Sequence, residues 1–279
     1  MKWALIGISI ILVFIALVFL NVSQASTRIL NKFIDYSDKL HESTNVAFLN
    51  HSDCLFYGAD SMLTQPTYIR STETIAVIWL HGLGGNATRA YENLRFSKLT
   101  NERIHFFLPT ANKILTPWMK SGLKNSWFTL DKIQSEKKNA EAIRASNSLI
   151  EFIRCIQRNG NYTEIIVGGS SQGGAVAWLA ANIGNSKLLG HISLSYVLLN
   201  TWLPVSDLPA TNLSTGEIYL IHNSFDDIVA DKTVHDSIEN SRELMEIRTL
   251  YNHESLHKSN TEEHIEFVHQ FIKNKLSNF

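Results

Sequence analysis

Five consecutive residues, Gly169 to Gly173, have the types and spacing of a turn that presents a nucleophile. They read Gly-Ser-Ser-Gln-Gly, follow the apolar run 164–167 and precede a helical pattern that begins near Gly174. Glycines fit such a tight strand-to-helix turn because a Cβ at either end would meet neighbouring backbone. The turn pushes its central hydroxyl outward, and we therefore predict that Ser171 is a nucleophile.

A serine hydroxyl at neutral pH needs a base to take its proton and an acid to orient that base. When the nucleophile stands on a turn of this kind, the acid and the base follow later in the chain, in that order. Asp226 follows the apolar run 217–221 and is the predicted acid, with Asp227 as the alternative. His257 precedes the final helical pattern and is the predicted base, with His253 as the alternative.

Acyl transfer also needs hydrogen-bond donors for the oxygen that becomes negative in the tetrahedral intermediate. The sequence His-Gly-Leu-Gly-Gly at 81–85 follows the apolar run 75–80. A glycine-rich turn at the end of a buried strand exposes backbone N–H groups toward a nucleophile on a neighbouring strand. We predict that the backbone N–H groups of Leu83 and Gln172 form an oxyanion hole.

The elements that must position these residues are strands and helices in alternation. From about residue 62 onward, nearly continuous apolar runs alternate with helical patterns, which indicates βαβ units and a mostly parallel sheet. Helices are predicted over 136–158, closed by Asn159 and Gly160, and over about 261–276, where glutamates follow possible caps. The predicted strands are 75–80, 104–108, 164–167, 196–199, 217–221 and 246–251.

The N-terminal part of the chain has a different character. Residues 3–20 carry no charge, and as a helix they would span roughly 27 Å, close to the hydrocarbon core of a membrane. The run is longer than the apolar core of a usual signal peptide, so we favour a single-pass membrane anchor over a cleaved signal peptide and secretion. We divide the chain into this segment (1–25), a connector (26–60) and a catalytic domain (61–279), which is expected to face away from the cytosol.

The composition argues against a nucleic-acid partner and against a zinc site. The net charge is −1, 18% of the residues are charged, and no basic stripe is present, so nucleic acid is not an expected partner. Cys54 and Cys155 show no CxxC spacing, so no zinc site is expected. They form either a disulfide or two unpaired thiols, and the sequence leaves this choice and the oligomeric state open.

The motifs resemble those of the acyl-protein thioesterase and carboxylesterase family, which includes lysophospholipases. The resemblance covers about residues 62–276. The family has HGLGD and GFSQGG where this chain has HGLGG and GSSQGG, and it has an acidic residue where this chain has Gly85. Further family segments, S-W-F-D, W-L-P and D-x-x-V-P, are similar to residues 126–129, 202–204 and 226–230.

The resemblance implies an α/β-hydrolase fold, with a mostly parallel central sheet flanked by helices in a single catalytic domain. It implies a serine hydrolase that cleaves carboxylic esters or thioesters, of the carboxylesterase, acyl-protein thioesterase or lysophospholipase type. The acid segment of the family aligns with Asp226, and its histidine segment supports His257 over His253. No metal or organic cofactor is expected.

Two further questions stay open at the level of sequence. Four apolar side chains are candidates for lining a groove for the acyl chain, although ordinary packing is the alternative; they are Trp127, Phe128, Trp202 and Leu203. The alternative functions are a non-catalytic, membrane-anchored binding protein of the same fold and a serine peptidase. An intact Ser-Asp-His triple favours an enzyme, and the resemblance favours an ester or thioester substrate.

Overall fold

A computed structural model of the chain describes most residues from Cys54 onward. The predicted anchor or signal segment and most of the connector lie outside the described residues, as does His253. No helix in the described part of the chain is both long and apolar enough to cross a membrane. The described residues are 54, 56, 58–65, 74–99, 103–119, 122–134, 136, 139–160, 162–184, 193–208, 217–241, 246–252 and 256–277.

All six predicted strands form, and all belong to one seven-stranded sheet with the order β1-β3-β2-β6-β7-β8-β9. Neighbouring strands are parallel except at one edge, where β1 runs antiparallel to β3. The prediction of a mostly parallel sheet is therefore confirmed. The strands are β1 Ala59–Gln65, β2 Thr74–Leu80, β3 Ile104–Ala111, β4 Lys113–Leu115, β5 Leu123–Asn125, β6 Tyr162–Ser170, β7 Ser193–Leu199, β8 Glu217–Asn223 and β9 Glu246–Asn252.

Three strands were missed by the sequence analysis. β1 reads ADSMLTQ and mixes polar with apolar residues, and its partner strand lies far along the chain, as in the pair Leu63 and Leu108. β4 and β5 have three residues each and form a separate antiparallel hairpin. Such strands exist because of their partners, so their own sequences carry little signal.

The helices flank the sheet. The predicted helix at 136–158 begins later, because the side chain of Asn139 caps it by accepting a hydrogen bond from the Ala142 N–H at 3.0 Å. Glu136 instead pairs with Val205 as an isolated β-bridge. The last helix begins after Thr261, whose hydroxyl accepts a hydrogen bond from the His264 N–H at 3.4 Å. The helices are α1 Ala87–Asn93, α2 Ala140–Asn159, α3 Gln172–Gly184, α4 Asp231–Ser241 and α5 Glu262–Ser277.

The sheet separates two apolar cores, and β6 contributes to both. Ile165 faces the core that contains α2 and α3, whereas Ile166 faces the core that contains α1 and α5. Both side chains are fully buried. A strand covered on both faces is held firmly, and the residue that follows it is therefore well positioned for chemistry.

A disulfide joins Cys54 to Cys155 of α2, across 101 residues of chain. The open question about the two cysteines is thus answered in favour of a bridge. Two residues beyond Cys54, the ring of Phe56 packs edge-on against Trp127 and Phe152, with ring centroids 5.5 Å apart in both pairs. The bridge therefore fastens the beginning of the described chain to the core.

Candidate active site

Ser171 stands on the sharp turn between β6 and α3. Its backbone φ is +51°, a left-handed conformation that is strained for a residue with a side chain. The chain passes so close to itself here that a Cβ on Gly169 would lie 2.6 Å from the carbonyl carbon of Gly173. A Cβ on Gly173 would lie 2.3 Å from the carbonyl oxygen of Leu80. These contacts are the backbone conflicts that the glycine pattern predicts.

The structure brings Ser171, His257 and Asp226 together in one hydrogen-bonded chain. His257 Nε2 lies 2.8 Å from Ser171 Oγ, and His257 Nδ1 lies 2.7 Å from Asp226 Oδ2. These distances are those expected between a nucleophile, its base and an orienting acid. The three residues come from three different loops at the carboxyl ends of β6, β8 and β9.

The carboxylate of Asp226 is held in its charged form. Burial alone would raise its pKa, but the hydrogen bond and charge of His257 and the backbone N–H groups of Val229 and Ile228 outweigh burial, and the pKa lies below its usual value. Both N–H groups donate to Asp226 Oδ1 at 2.8 Å. One carboxylate oxygen is thus fixed by backbone and the other is left for the imidazole.

Asp227, the alternative acid, has a different position. Its Oδ1 accepts a hydrogen bond from the backbone N–H of His257 at 3.3 Å, and it does not meet the imidazole nitrogens. It supports the loop that carries the histidine, while Asp226 faces the ring.

The predicted oxyanion donors lie at the ends of β2 and β6. Gln172 is the first residue of α3, and N–H groups in the first turn of a helix have no acceptor within the helix. Leu83 lies in a turn closed by a hydrogen bond from Gly85 N–H to Gly82 O at 2.9 Å. Asn125 of β5 fixes this turn from outside, because its side-chain amide donates to Gly85 O at 2.7 Å.

His81 supports the same turn, a role that the sequence analysis did not assign. Its Nε2 accepts a hydrogen bond from the Ala111 N–H at 3.0 Å, so the ring is neutral there and its proton is on Nδ1, which donates to Gly82 O at 2.7 Å. Burial lowers the pKa of His81 to about 4. The position of His81 between a buried strand and a glycine-rich turn was the signal in the sequence that could have indicated this role.

The side chain of Gln172 is a second support that sequence reasoning missed. It is fully buried, and its Oε1 accepts from the Trp127 N–H at 3.1 Å while its Nε2 donates to Phe128 O at 2.7 Å. The Trp127 indole in turn donates to His81 O at 2.8 Å. The residue predicted to supply an oxyanion donor therefore also fixes the neighbouring loop through its side chain.

The four residues predicted to contact substrate are all in the core. Trp127 is 8% exposed and Phe128 1%, whereas Trp202 and Leu203 are fully buried. Trp127 and Phe128 line a cavity together with Leu115 of β4. Substrate contact by the four residues stays a prediction.

The described residues include no group of three or more His, Cys, Asp and Glu side chains that is arranged to hold a metal ion.

Comparison with known proteins gives the class of protein that this fold and site define. The profile of the phospholipase/carboxylesterase family matches residues 68–276. The chain belongs to that family, within the α/β-hydrolase superfamily.

Individual relatives agree with this family. The chain is 30% identical to acyl-protein thioesterase 1 of Cryptococcus neoformans over 145 residues, which cover 49% of this chain and 58% of the fungal protein. It is 27% identical to lysophospholipase-like protein 1 of Mus musculus over 161 residues, which cover 55% of this chain and 67% of the mouse protein. The match thus spans less than two thirds of the fungal relative.

Solved structures of low sequence identity share the fold. Acyl-protein thioesterase 2 of Zea mays superposes with a TM-score of 0.64 at 19% identity, over 77% of this chain and 99% of the maize chain. The carboxylesterase of Bacillus cereus superposes with a TM-score of 0.57 at 14% identity, over 76% of this chain and 93% of the bacterial chain.

Proposed function

We propose that this protein is a serine hydrolase that cleaves carboxylic esters or thioesters through an acyl-enzyme on Ser171. The observation that carries the proposal is the hydrogen-bonded chain from Ser171 Oγ to His257 at 2.8 Å and on to the buried Asp226 at 2.7 Å. The family profile and the names of the relatives, thioesterase, lysophospholipase-like and carboxylesterase, support ester or thioester substrates.

In the first half of the reaction, Ser171 Oγ attacks the carbonyl carbon of the acyl group while His257 Nε2 takes the hydroxyl proton. Asp226 holds the imidazole in the tautomer that can accept this proton and stabilises the imidazolium that forms. The N–H groups of Leu83 and Gln172 bind the negative oxygen of the tetrahedral intermediate. The intermediate then collapses, and His257 gives its proton to the departing alcohol or thiol.

In the second half, water takes the place of the leaving group. His257 removes a proton from the water as its oxygen attacks the acyl-enzyme, and a second tetrahedral intermediate occupies the same oxyanion hole. Collapse of this intermediate releases the carboxylic acid and returns the proton to Ser171.

The experiment that tests this function compares the full-length protein with a Ser171→Ala variant. Hydrolysis of four-carbon and sixteen-carbon acyl esters and of the matching thioesters is followed, together with stoichiometric labelling by a fluorophosphonate. We expect labelling and hydrolysis by the wild type and neither by the alanine variant. Equal rates for the two proteins on all four substrates would overturn the proposal.

We also propose that the catalytic domain works outside the cytosol, attached to a membrane through the apolar segment 3–20. The Cys54–Cys155 disulfide supports this location, because such bridges persist in oxidising compartments and are rare in the cytosol. Alkylation of intact cells with a thiol reagent, before and after reduction, tests it. Both cysteines should be protected until the protein is reduced, and labelling of both without reductant would contradict the location.

A further inference from the structure

Two buried asparagines lie beside the catalytic histidine, at the ends of adjacent strands. Asn223 is the last residue of β8, and Asn200 follows the last residue of β7. Both side chains are fully buried. Neither residue takes part in the proton transfers of the proposed reaction. The reaction therefore does not explain why two amides are buried at this place.

The backbone around His257 forms a very tight turn. The Lys258 N–H donates to the carbonyl oxygen of Leu256 at 2.6 Å, across His257 itself. The turn is at the surface, where the Leu256 side chain is 53% exposed. No helix or strand contains this turn, so side chains from elsewhere must fix its orientation. Asp227 binds the His257 N–H, and the two flanking carbonyl groups need further partners.

Asn223 binds both carbonyl groups. Its Nδ2 donates to Leu256 O at 2.9 Å and to Lys258 O at 2.9 Å. The carbonyl oxygen of Asn223 also accepts a hydrogen bond from the Asp226 N–H at 2.9 Å. One residue therefore touches the loop of the base with its side chain and the turn of the acid with its backbone.

Asn200 completes the arrangement. Its Nδ2 donates to Lys258 O at 2.6 Å, and its Oδ1 accepts from the Asn223 N–H at 2.8 Å. The residue has a φ of +45°, a conformation that asparagine tolerates better than most side chains. In that conformation its amide bridges the end of β8 and the loop of His257.

We propose that Asn200 and Asn223 form a clamp that positions His257 against Ser171 and Asp226, an inference that rests on the proposed hydrolase function. We call the two side chains the asparagine clamp. Buried amides have few alternative partners, so the three hydrogen bonds that they donate to the turn define one orientation of it, and a fourth joins the two asparagines to each other. Both are positioning residues: they act on the substrate only through His257.

The test compares Asn200→Ala, Asn223→Ala and the double variant with the wild type. Loss of the clamp lets His257 move by a fraction of an ångström or more, and such displacements reduce the chemical step by about tenfold to a hundredfold. We therefore expect kcat for a short-chain ester to fall by about that factor for each variant, with KM within about twofold of wild type. The double variant should lose much less than the product of the two single losses, because both side chains hold the same turn.

Two further variants serve as a control and as a milder substitution. Asn182 of α3 is also buried and donates to a backbone carbonyl, that of Trp178 at 2.9 Å, so Asn182→Ala is the matched control for a lost buried amide and should keep its kcat. Asn200→Asp has nearly the same shape, keeps the acceptor for the Asn223 N–H and loses the donor to Lys258 O. It carries the test should an alanine variant fail to fold.

A second readout does not depend on turnover. The low-field proton resonance of the hydrogen bond between His257 and Asp226 is recorded for each folded protein. The resonance should broaden or move in the clamp variants and stay unchanged in Asn182→Ala. If the two asparagines only stabilised the fold, the resonance would be the same in all folded variants.

The outcomes separate the clamp from the hydrolase function. Folded clamp variants with kcat within twofold of wild type, or with raised KM and unchanged kcat, would overturn the clamp. A wild type that neither turns over nor reacts with a fluorophosphonate would overturn the hydrolase function instead, and the proton resonance would then decide the clamp by itself.

Discussion

At the scale of single residues, the site depends on which of two adjacent carboxylates faces the imidazole. Asp226 directs one oxygen to His257 Nδ1 and gives the other to two backbone N–H groups. Asp227 uses its carboxylate to accept the backbone N–H of His257. Asp226 therefore interacts with the imidazole ring of His257, whereas Asp227 holds the backbone of the same residue.

This difference predicts unequal effects of the same substitution. Asp226→Asn should lower kcat by about 10⁴-fold, because the amide favours the wrong imidazole tautomer and cannot stabilise the imidazolium. Asp227→Asn keeps an oxygen that can accept the His257 N–H, and we expect less than a tenfold loss. Steady-state kinetics on a short-chain ester measures both. Similar losses in the two variants would contradict the assignment of Asp226 as the acid.

The buried His81 gives a prediction on the pH dependence of stability. Its pKa is lowered to about 4 in the folded protein, whereas a histidine in an unfolded chain titrates near 6.5. Between these two values the unfolded state binds more protons, so stability is lost as the pH falls from 6.5 to 4. The contribution of this one group is about 3 kcal/mol, at about 1.4 kcal/mol for each pKa unit.

Urea denaturation at pH 7, 5.5 and 4.5 measures this loss. His81→Gln should show a flatter decrease in the free energy of unfolding over this range, since the variant cannot take up the proton. His235→Gln is the control, because His235 is exposed on α4 and its replacement should leave the wild-type slope. An unchanged slope in His81→Gln would show that other groups cause the acid sensitivity.

At the scale of elements, β6, α3 and the end of β2 cross too closely to leave room for a side chain at residue 173. Gly173 is the second residue of α3 and faces the carbonyl oxygens of Leu80 and His81. A Cβ on Gly173 would lie 2.3 Å and 2.5 Å from these two oxygens. These atoms are backbone at the centre of the sheet, so they cannot move aside as a flexible side chain would. The turn that carries Ser171 can therefore lie this close to the end of β2 only because residue 173 has no side chain.

Gly173→Ala should accordingly separate the two turns. We expect it to cost about 3 kcal/mol or more in the free energy of unfolding and to abolish labelling of Ser171 by a fluorophosphonate. Gly184 lies on the same helix, and the three atoms nearest to an added Cβ belong to the side chain of Ile150, the first at 2.8 Å. A side chain can move aside, so Gly184→Ala should keep the labelling. Retained labelling in a folded Gly173→Ala protein would show that the crossing tolerates expansion.

At the scale of the whole molecule, one disulfide closes a long covalent loop. The Cys54–Cys155 bridge encloses β1 to β5 and most of α2. It also keeps Phe56 against Trp127, whose indole donates a hydrogen bond to the carbonyl oxygen of His81. The Cys54–Cys155 disulfide is thus connected, through Phe56 and Trp127, to the backbone of His81.

Replacement of both cysteines by serine should reduce the free energy of unfolding by about 3–5 kcal/mol, because the unfolded chain is no longer constrained by a loop of this length. For a domain of this size we expect the melting temperature to fall by roughly 10 °C. Calorimetry with and without a reductant measures the effect. The reductant should lower the melting temperature of the wild type and leave that of the double variant unchanged.

The sequence by itself determined the features that depend on local backbone sterics and on burial. The glycines around Ser171 predicted its sharp turn, because the backbone there passes too close to itself for a Cβ. The continuous apolar runs predicted six strands of a mostly parallel sheet, because strands covered on both faces need apolar residues at nearly every position. Only the tertiary structure decided what depends on contacts between distant segments. It paired β1 with β3, joined Cys54 to Cys155 and placed the Asp227 carboxylate on the backbone N–H of His257. It also brought Asn200 and Asn223 to the histidine loop and buried Trp202 and Leu203, because the partner of a side chain is set by packing across the sheet.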